Sequence, residues 1–444
     1  MAGESLTLTV LGGGSYYTPS FIGTMCRSPQ VWSGAEVRLV DPNAERVALV
    51  KAFCEKFIGV KKVPMTFRGP MELDAGLDGA DFVIATFRIG GIPSLRMDET
   101  IPPRFGYFGN ETVGPGGMFM AMRTAPVVLD VARRMERLCP EAWLLNYANP
   151  TNFIADALWR TGFRRGVGLC DGFICPPNDI GATLGLDPKT VTTRHAGINH
   201  CSWTHSATCG GRDLLEELRH IDDAAVEKNL ANLDARGAER RRCWLRIFRL
   251  AGLYPAPAGH MEAYFFQEES LQRQLAARER ALTWRAESGQ QTWARLKACL
   301  ADFQEPEADQ IARAHYGGHA DLAIGVASAI AADSGAVWPV NMPHGGAVPG
   351  ISPDTVLEVY SRVTRQGFAP IAVPPWPPFV VAQQAHLAAV QKLVVDGILA
   401  RDRSRIFQAL CLHPFTKSID RARILFDAMW KEEQDAGALG AYWT

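Results

Sequence analysis

The sequence predicts an α/β protein, with a doubly wound, mostly parallel sheet over about residues 1–195 and a helix-rich α+β region over 196–444. Three observations carry that expectation. Short apolar, β-prone runs alternate with helical patterns through the first half. A triple glycine closes the first of these runs, and after Gly197 the chain turns to long stretches rich in Glu, Arg, Ala and Leu. With 47% hydrophobic and 21% charged residues, the 444-residue chain is long enough for a large core and more than one domain. The balance of 46 Lys+Arg against 47 Asp+Glu shows no basic excess and argues against a nucleic-acid partner. No run nears the roughly 18 apolar residues of a membrane helix, and no basic n-region precedes the first apolar run. Ten scattered cysteines lack the dense spacing of a secreted disulfide framework, so a reduced, cytoplasmic protein is expected.

The elements follow in order. Residues 6–11 form the first strand and the segment from Pro19 to about Cys26 a helix. The second strand, Glu36 to Asp41, ends on its acid, and a helical pattern then runs to about Ile58. Strands are expected at Asp81–Phe87 and Trp143–Tyr147, with a helix from Val127 to Leu138 between them. Beyond Gly197, helices are expected over about Leu214–Leu250 and Glu262–Leu300. The Pro-dense stretch Pro370–Pro378 is too short and too apolar for a disordered linker. It reads as an ordered crossing before C-terminal helices from about Val380 to Gly437.

Gly12-Gly13-Gly14 directly after a strand lets the backbone turn tightly and approach a pyrophosphate, whose charge then faces a helix N-terminus. Ser15 completes the loop, and Asp41 can accept hydrogen bonds from a ribose diol. A full G-x-G-x-x-G would need glycine where Tyr17 stands. The order of strand, glycines, helix and later acid still favours a Rossmann-like dinucleotide site over a plain turn. The acid favours NAD over NADP, because it repels a 2′-phosphate.

Further clusters stand at Arg88-Ile-Gly-Gly91, Asn110-Glu-Thr-Val-Gly-Pro-Gly-Gly117, Asn146-Tyr-Ala-Asn-Pro150, Gly168-Leu-Cys-Asp-Gly172 and Gly197-Ile-Asn-His-Cys-Ser-Trp203. Taken singly, a Cys and a His thirty residues apart are more often buried structural residues than ligands. Together with the glycine loop, with Val340–Pro349 and with Leu412-His-Pro414, the series resembles glycoside hydrolase family 4, the NAD- and manganese-dependent glycosidases. That resemblance implies Cys170 and His200 as ligands of Mn2+ or another divalent metal. Two ligands leave open positions, as a catalytic metal requires. Softness alone would suit zinc, so manganese rests on the resemblance. It further implies NAD held by Gly12–Ser15, Asp41 and Asn149, a small-molecule glycoside bound by Arg88, Glu111, Asn149, His319 and His344, and a homodimer or homotetramer.

The chemistry so implied runs without net redox change. Hydride leaves sugar C3, the adjacent C2 proton becomes acidic, a base removes it, elimination expels the aglycone, and water and hydride return. Asp171 matches the general acid of the α-specific branch, which favours α-linked substrates, and Tyr264 stands near the place of the tyrosine base. A tyrosine needs a nearby cation to lower its pKa for that task. Asp171 also reads as a turn or cap residue, and Tyr264 as a core aromatic. The sequence departs from the pattern at Tyr316, where a phosphate-clamping arginine is expected, at Asn110 for glutamine and His344 for asparagine, and in Cys170-Asp171-Gly172-Phe173, which is not the commonest version of its motif. Losing a bidentate arginine lowers the charge of the anion pocket. A 6-sulfonate sugar such as sulfoquinovose, bound by Ser15, Arg88, His319 or His344, therefore stands beside a 6-phosphoglucoside as the expected substrate; an uncharged hexoside or a uronide stays open. The alternatives are a net dehydrogenase of the lactate/malate type, which leaves Cys170 with His200 unexplained, and a non-catalytic NAD- or sugar-binding regulator.

Overall fold

The strands run β1 (Thr7–Leu11), β2 (Glu36–Val40), β3 (Thr66–Met71), β4 (Phe82–Ala85), β5 (Trp143–Asn146) and β6 (Gly166–Gly168) through the first part of the chain. They continue as β7 (Thr192–Ile198), β8 (Cys201–Cys209), β9 (Arg212–Asp213), β10 (Tyr254–Ala256), β11 (Val337–Pro343), β12 (Val356–Thr364) and β13 (Gly367–Pro370). The structure, a computed structural model, describes residues 5–256, 260–277, 280–313 and 319–443. All these strands belong to one sheet.

Half of that sheet is parallel, in the order β3-β2-β1-β4-β5-β6. This is the doubly wound order in which the strand sequence reverses beside β1, leaving a crevice at the carboxyl ends of the strands. Antiparallel strands β11-β12-β7-β8-β10 extend the same sheet. Side chains alternate between faces as the period of 2 requires. Phe82 and Ile84 of β4 enter one core cluster, and Val83 and Ala85 enter the other.

The first strands and helices fall where the sequence places them: helix Thr18–Cys26 follows the glycine loop, and helix Ala44–Lys61 follows β2. Asn43 caps the latter, accepting from the Arg46 amide at 2.9 Å. The helix expected from Val127 starts instead at Gly114 and runs to Leu138. Its first turns hold Gly116, where a Cβ would drive into the carbonyls of Asn110 and Asp98. The glycine there serves tight packing rather than a loop, which composition cannot distinguish. The β7–β8 hairpin and the β11–β12 pair lie in stretches for which the sequence reading names no element.

The division expected at 195/196 falls inside β7, and the two regions share sheet and core. Helices Pro378–Ala400 and Ile419–Asp435 pack Val390, Ile398 and Phe426 into the cluster that holds Val83, Met118 and Leu144. Residues 371–377 form the extended crossing that precedes these helices. Among the described residues no helix is long and apolar enough to cross a membrane, and all ten cysteines are free thiols.

Candidate active site

One transverse row of register partners organises the site. Val40, Leu11, Ala85, Asn146, Gly168, Asn341, Glu358 and Gly197 are successive partners from β2 across to β7. On the parallel strands the predicted residues lie one to three positions beyond a member of this row: Asp41, Gly12, Arg88, Asn149 and Cys170. Distant stretches of sequence thereby reach one edge of the sheet, outside the carboxyl ends of the parallel strands.

At the β1 end the loop is built on steric grounds. Gly12 has φ +87°, and a Cβ on Gly13 would sit 2.8 Å from the Leu39 Cα. The loop spends its own amides: those of Gly12 and Gly13 donate to the Val40 carbonyl, and that of Ser15 to the Gly12 carbonyl. The Gly14 amide donates to Asp41 Oδ2 at 3.1 Å, and the Asn43 amide to Oδ1 at 2.8 Å. What remains for a dinucleotide is the close backbone approach, the N-terminal end of helix Thr18–Cys26, and the spare lone pairs of the Asp41 carboxylate. The Ser15 hydroxyl accepts from the Tyr17 amide at 3.2 Å, so it shapes the same turn. Asn149 is half-buried in the loop after β5, joined to Pro150 by a cis peptide.

At the far end of the parallel half, Cys170 and His200 meet. Cys170 Sγ lies 3.6 Å from His200 Nε2. Bonds of about 2.3 Å to sulfur and about 2.0 Å to nitrogen span such a gap comfortably. The tautomer is also set. Asn110 Oδ1 accepts from the Thr112 amide at 2.8 Å, the Thr112 hydroxyl at 2.7 Å and the Val113 amide at 3.2 Å. With its proton committed to Asn110, Thr112 Oγ1 can only accept from His200 Nδ1, 3.4 Å away. The Nε2 lone pair then faces the sulfur, as a metal ligand requires. His200 occupies the β7–β8 turn with φ +64°, a left-handed conformation that costs a non-glycine residue roughly 1–3 kcal/mol. Burial pushes the Cys170 thiol well above its usual range, helped by the nearby Glu358 and Asp171 charges, and pushes His200 down. Both groups are therefore neutral in the metal-free protein, and a cation would draw the thiol to thiolate. The side chain of buried Asn199 hydrogen-bonds the Cys170 sulfur, which partly opposes the effect of burial on the thiol. Two ligands with a tautomer-fixing relay fit a divalent ion. Among the described residues no group of three or more His, Cys, Asp or Glu forms a closed cage.

Asp171 follows Cys170 at the start of the short 3₁₀ turn Asp171–Ile174, half-buried at the mouth of this pocket. Tyr264 lies on helix Met261–Phe265; His260, immediately before that helix, packs its ring 4.4 Å from that of His200. The influences on Tyr264, burial first and the Cys201 thiol second, both push its hydroxyl up, so the protein alone does not activate it. His413, within the Leu412-His-Pro414 motif, has no role that the sequence pattern announces. His413 Nδ1 accepts from the Phe415 amide at 3.1 Å, which leaves the ring proton on Nε2, 3.5 Å from the Tyr264 hydroxyl. Burial, then the neighbouring His386, lowers His413 to about 3, so it stays a neutral donor.

Of the predicted sugar-binding residues, Arg88 pairs with buried Glu111. His344 is not placed for a sugar: its Nδ1 accepts from the Val348 amide at 3.1 Å and its Nε2 faces the Ser352 carbonyl at 2.9 Å. Both nitrogens fold the turn after β11, and the residue drops out of the pocket. His319 begins helix His319–Ala332, and Tyr316 lies outside the described residues. Glu358 lies in none of the motifs, and Thr112 and Asn341 lie inside them without an assigned role; cross-strand register places Asn341 and Glu358, and Thr112 meets the site through His200.

The sequence profile of "Family 4 glycosyl hydrolase" matches residues 7–186, and that of "Family 4 glycosyl hydrolase C-terminal domain" matches residues 195–416. The chain belongs to glycosyl hydrolase family 4. It is an NAD-dependent glycosidase of that family, and the net-dehydrogenase alternative falls away. The family 4 chain is similar to a "Probable 6-phospho-beta-glucosidase" of Bacillus subtilis (strain 168), 29% identical over 437 residues and 96% of each sequence. It is 30% identical to the 6-phospho-beta-glucosidase of Escherichia coli (strain K12), over 83% of this chain and 81% of that one. A 6-phospho-alpha-glucosidase from gut microorganisms, in complex with NAD and Mn2+, shares the fold with a TM-score of 0.84 at 22% identity, over 98% and 99% of the two chains.

Proposed function

We propose that this family 4 enzyme hydrolyses α-glycosides of a hexose carrying an anionic C6 group, a 6-phosphate or a 6-sulfonate as in sulfoquinovose, through transient C3 oxidation, C2 deprotonation and elimination. The observation that carries the reading is the Cys170–His200 pair, 3.6 Å apart, on the same sheet edge as the Gly12–Ser15 loop. NAD would lie over Gly12–Ser15 with its ribose on Asp41 and its nicotinamide end towards Asn149; Mn2+ would be held by Cys170 and His200. When bound, the two supply a reversible hydride acceptor and a Lewis acid at the sugar. The chain does the rest. Arg88, held by Glu111, faces the C6 anion; its partial neutralisation by that carboxylate suits a group of low charge. Asp171 protonates the departing oxygen, which favours the α-linkage. His413 Nε2–H donates to the Tyr264 phenolate, which takes the C2 proton and becomes the neutral phenol.

The test is the fate of the C2 proton. Hydrolysis in D2O with NAD and Mn2+ should give product deuterated at C2, and removal of NAD should stop turnover. Full activity without NAD, or cleavage with no C2 exchange, would overturn the route. A panel of 6-phosphoglucosides, sulfoquinovosides and plain glucosides separates the C6 groups, the neutral glucoside being expected to turn over least.

A further inference from the structure

Between the strands that lead to Cys170 and His200 lie β11 and β12, and they contribute Asn341 and Glu358 to the transverse row. Both residues are fully buried in the sheet interior, where Asn146 and His195 are buried as well. A buried carboxylate is costly unless something compensates its charge. Among the described residues the Glu358 side chain has one partner: Oε2 lies 3.0 Å from His195 Nε2. His195 stands two residues before Gly197, the register partner of Glu358, and therefore on the same face. Glu358 Oε1 and Asn341 Oδ1 have no hydrogen-bond partner among the described residues. Glycines flank the polar pair on both sides, Gly168 towards Cys170 and Gly197 towards His200, with the side chains of Thr151 and Gln384 packed against them. The Glu358 charge reaches both groups, opposing ionisation of the Cys170 thiol and offsetting the effect of burial on His200.

We propose that Glu358 is a positioning residue for the divalent cation: its buried carboxylate, anchored by His195 on the strands between those that lead to Cys170 and His200, supplies fixed negative charge that draws the ion to the pair. The inference rests on reading that pair as metal ligands. One thiolate and one neutral imidazole carry a single negative charge against a dication in a buried pocket. A carboxylate behind them offsets part of the remainder without taking a coordination position that the sugar needs. Asp171 adds negative charge from the mouth of the pocket, and Glu358 adds it from the interior.

Mn2+ titration of the NAD-loaded protein, followed by the electron paramagnetic resonance of free Mn2+, tests this in wild type, Cys170→Ser and Glu358→Gln. NAD affinity and the melting temperature of the metal-free protein accompany each titration; a merely structural role would move these together with Mn2+ binding. Cys170→Ser should lose the ion. Glu358→Gln, isosteric and able to keep the His195 contact, should weaken Mn2+ by about ten- to a hundredfold with NAD affinity unchanged. Wild-type Mn2+ affinity in Cys170→Ser would show that the metal-site reading is wrong. Loss there, with wild-type affinity in Glu358→Gln, would overturn the role of Glu358 alone. Should Glu358→Gln not fold, His195→Gln keeps the charge and loosens its anchor; a several-fold weaker Mn2+ affinity is expected, and no change would overturn the proposal.

Discussion

The parallel and antiparallel halves of the sheet contribute to the site in different ways. On the parallel side, β1 and β2 offer a backbone feature: a glycine loop whose shape is set by what a Cβ would hit and whose amides are satisfied internally. On the antiparallel side, β7, β11 and β12 offer side chains. His200, Asn341 and Glu358 are buried or nearly so, and the last two carry orphaned acceptors. A backbone site is specified by local sequence and fails by steric intrusion. A side-chain site is assembled by register and fails by loss of charge or of a lone pair. The two should therefore come apart under mutation.

Cys170→Ser should separate them most. It removes the thiolate while leaving the Gly12–Ser15 loop untouched, so hydrolysis should fall by at least about a hundredfold while NAD affinity holds. Activity close to wild type after thorough chelation and readdition of Mn2+ would break the comparison. The converse is Gly13→Val. Its branched side chain would begin 2.8 Å from the Leu39 backbone, which cannot yield. Overpacking of about 1–3 kcal/mol corresponds to a loss on the order of ten- to a hundredfold in NAD affinity. Mn2+ binding, measured in the same preparation, should stay within a few-fold.

The same contrast explains what was legible in the sequence. Gly12, Asp41 and the alternating strands β1, β2, β4 and β5 announce themselves within short windows, because sterics and period-2 burial act locally. Cys170 and His200 stand out through their motifs, and the fold brings them 3.6 Å apart. Thr112, His413 and Glu358 were not found. Each works through a partner between 88 and 163 residues away, as with His200 for Thr112, Tyr264 for His413 and His195 for Glu358, and no local pattern encodes such a pairing. His344 misled for the opposite reason. A histidine between Pro343 and Gly345 looks functional, yet its nitrogens close a turn.

Asp171→Asn sharpens the side-chain half. A proton donor matters only when the leaving oxygen is a poor one, so alkyl glycosides should slow by about 10²–10⁴-fold and activated aryl glycosides much less. Because Cys170 and His200 keep their geometry, Mn2+ affinity should change little. Equal losses on both substrate types would return Asp171 to a structural role at the start of its 3₁₀ turn.

The smallest expected effect distinguishes charge buried for chemistry from charge buried for architecture. Arg123 on helix Gly114–Leu138 is enclosed with Asp98 and Glu433, tying the C-terminal helix Ile419–Asp435 behind both halves of the site. Burial pushes both carboxyls up, only partly opposed by the guanidinium: Asp98 to about 7 and Glu433 to about 8. For an acid whose folded pKa is raised, the folded protein binds more protons than the unfolded chain between the two values. Its stabilising contribution is then complete below the unfolded carboxyl range and is lost as pH rises through 7 and 8. Glu433→Gln holds that position permanently in the neutral form and leaves Arg123 paired with Asp98. The melting temperature of wild type should therefore fall more steeply between pH 6 and pH 9 than that of the variant, by a difference of about 2–4 °C, with Mn2+ and NAD affinities unaltered at pH 7. Parallel melting curves across that range would show that this triad carries no proton at neutral pH, and a simultaneous loss of Mn2+ would place it within the electrostatics of the pocket.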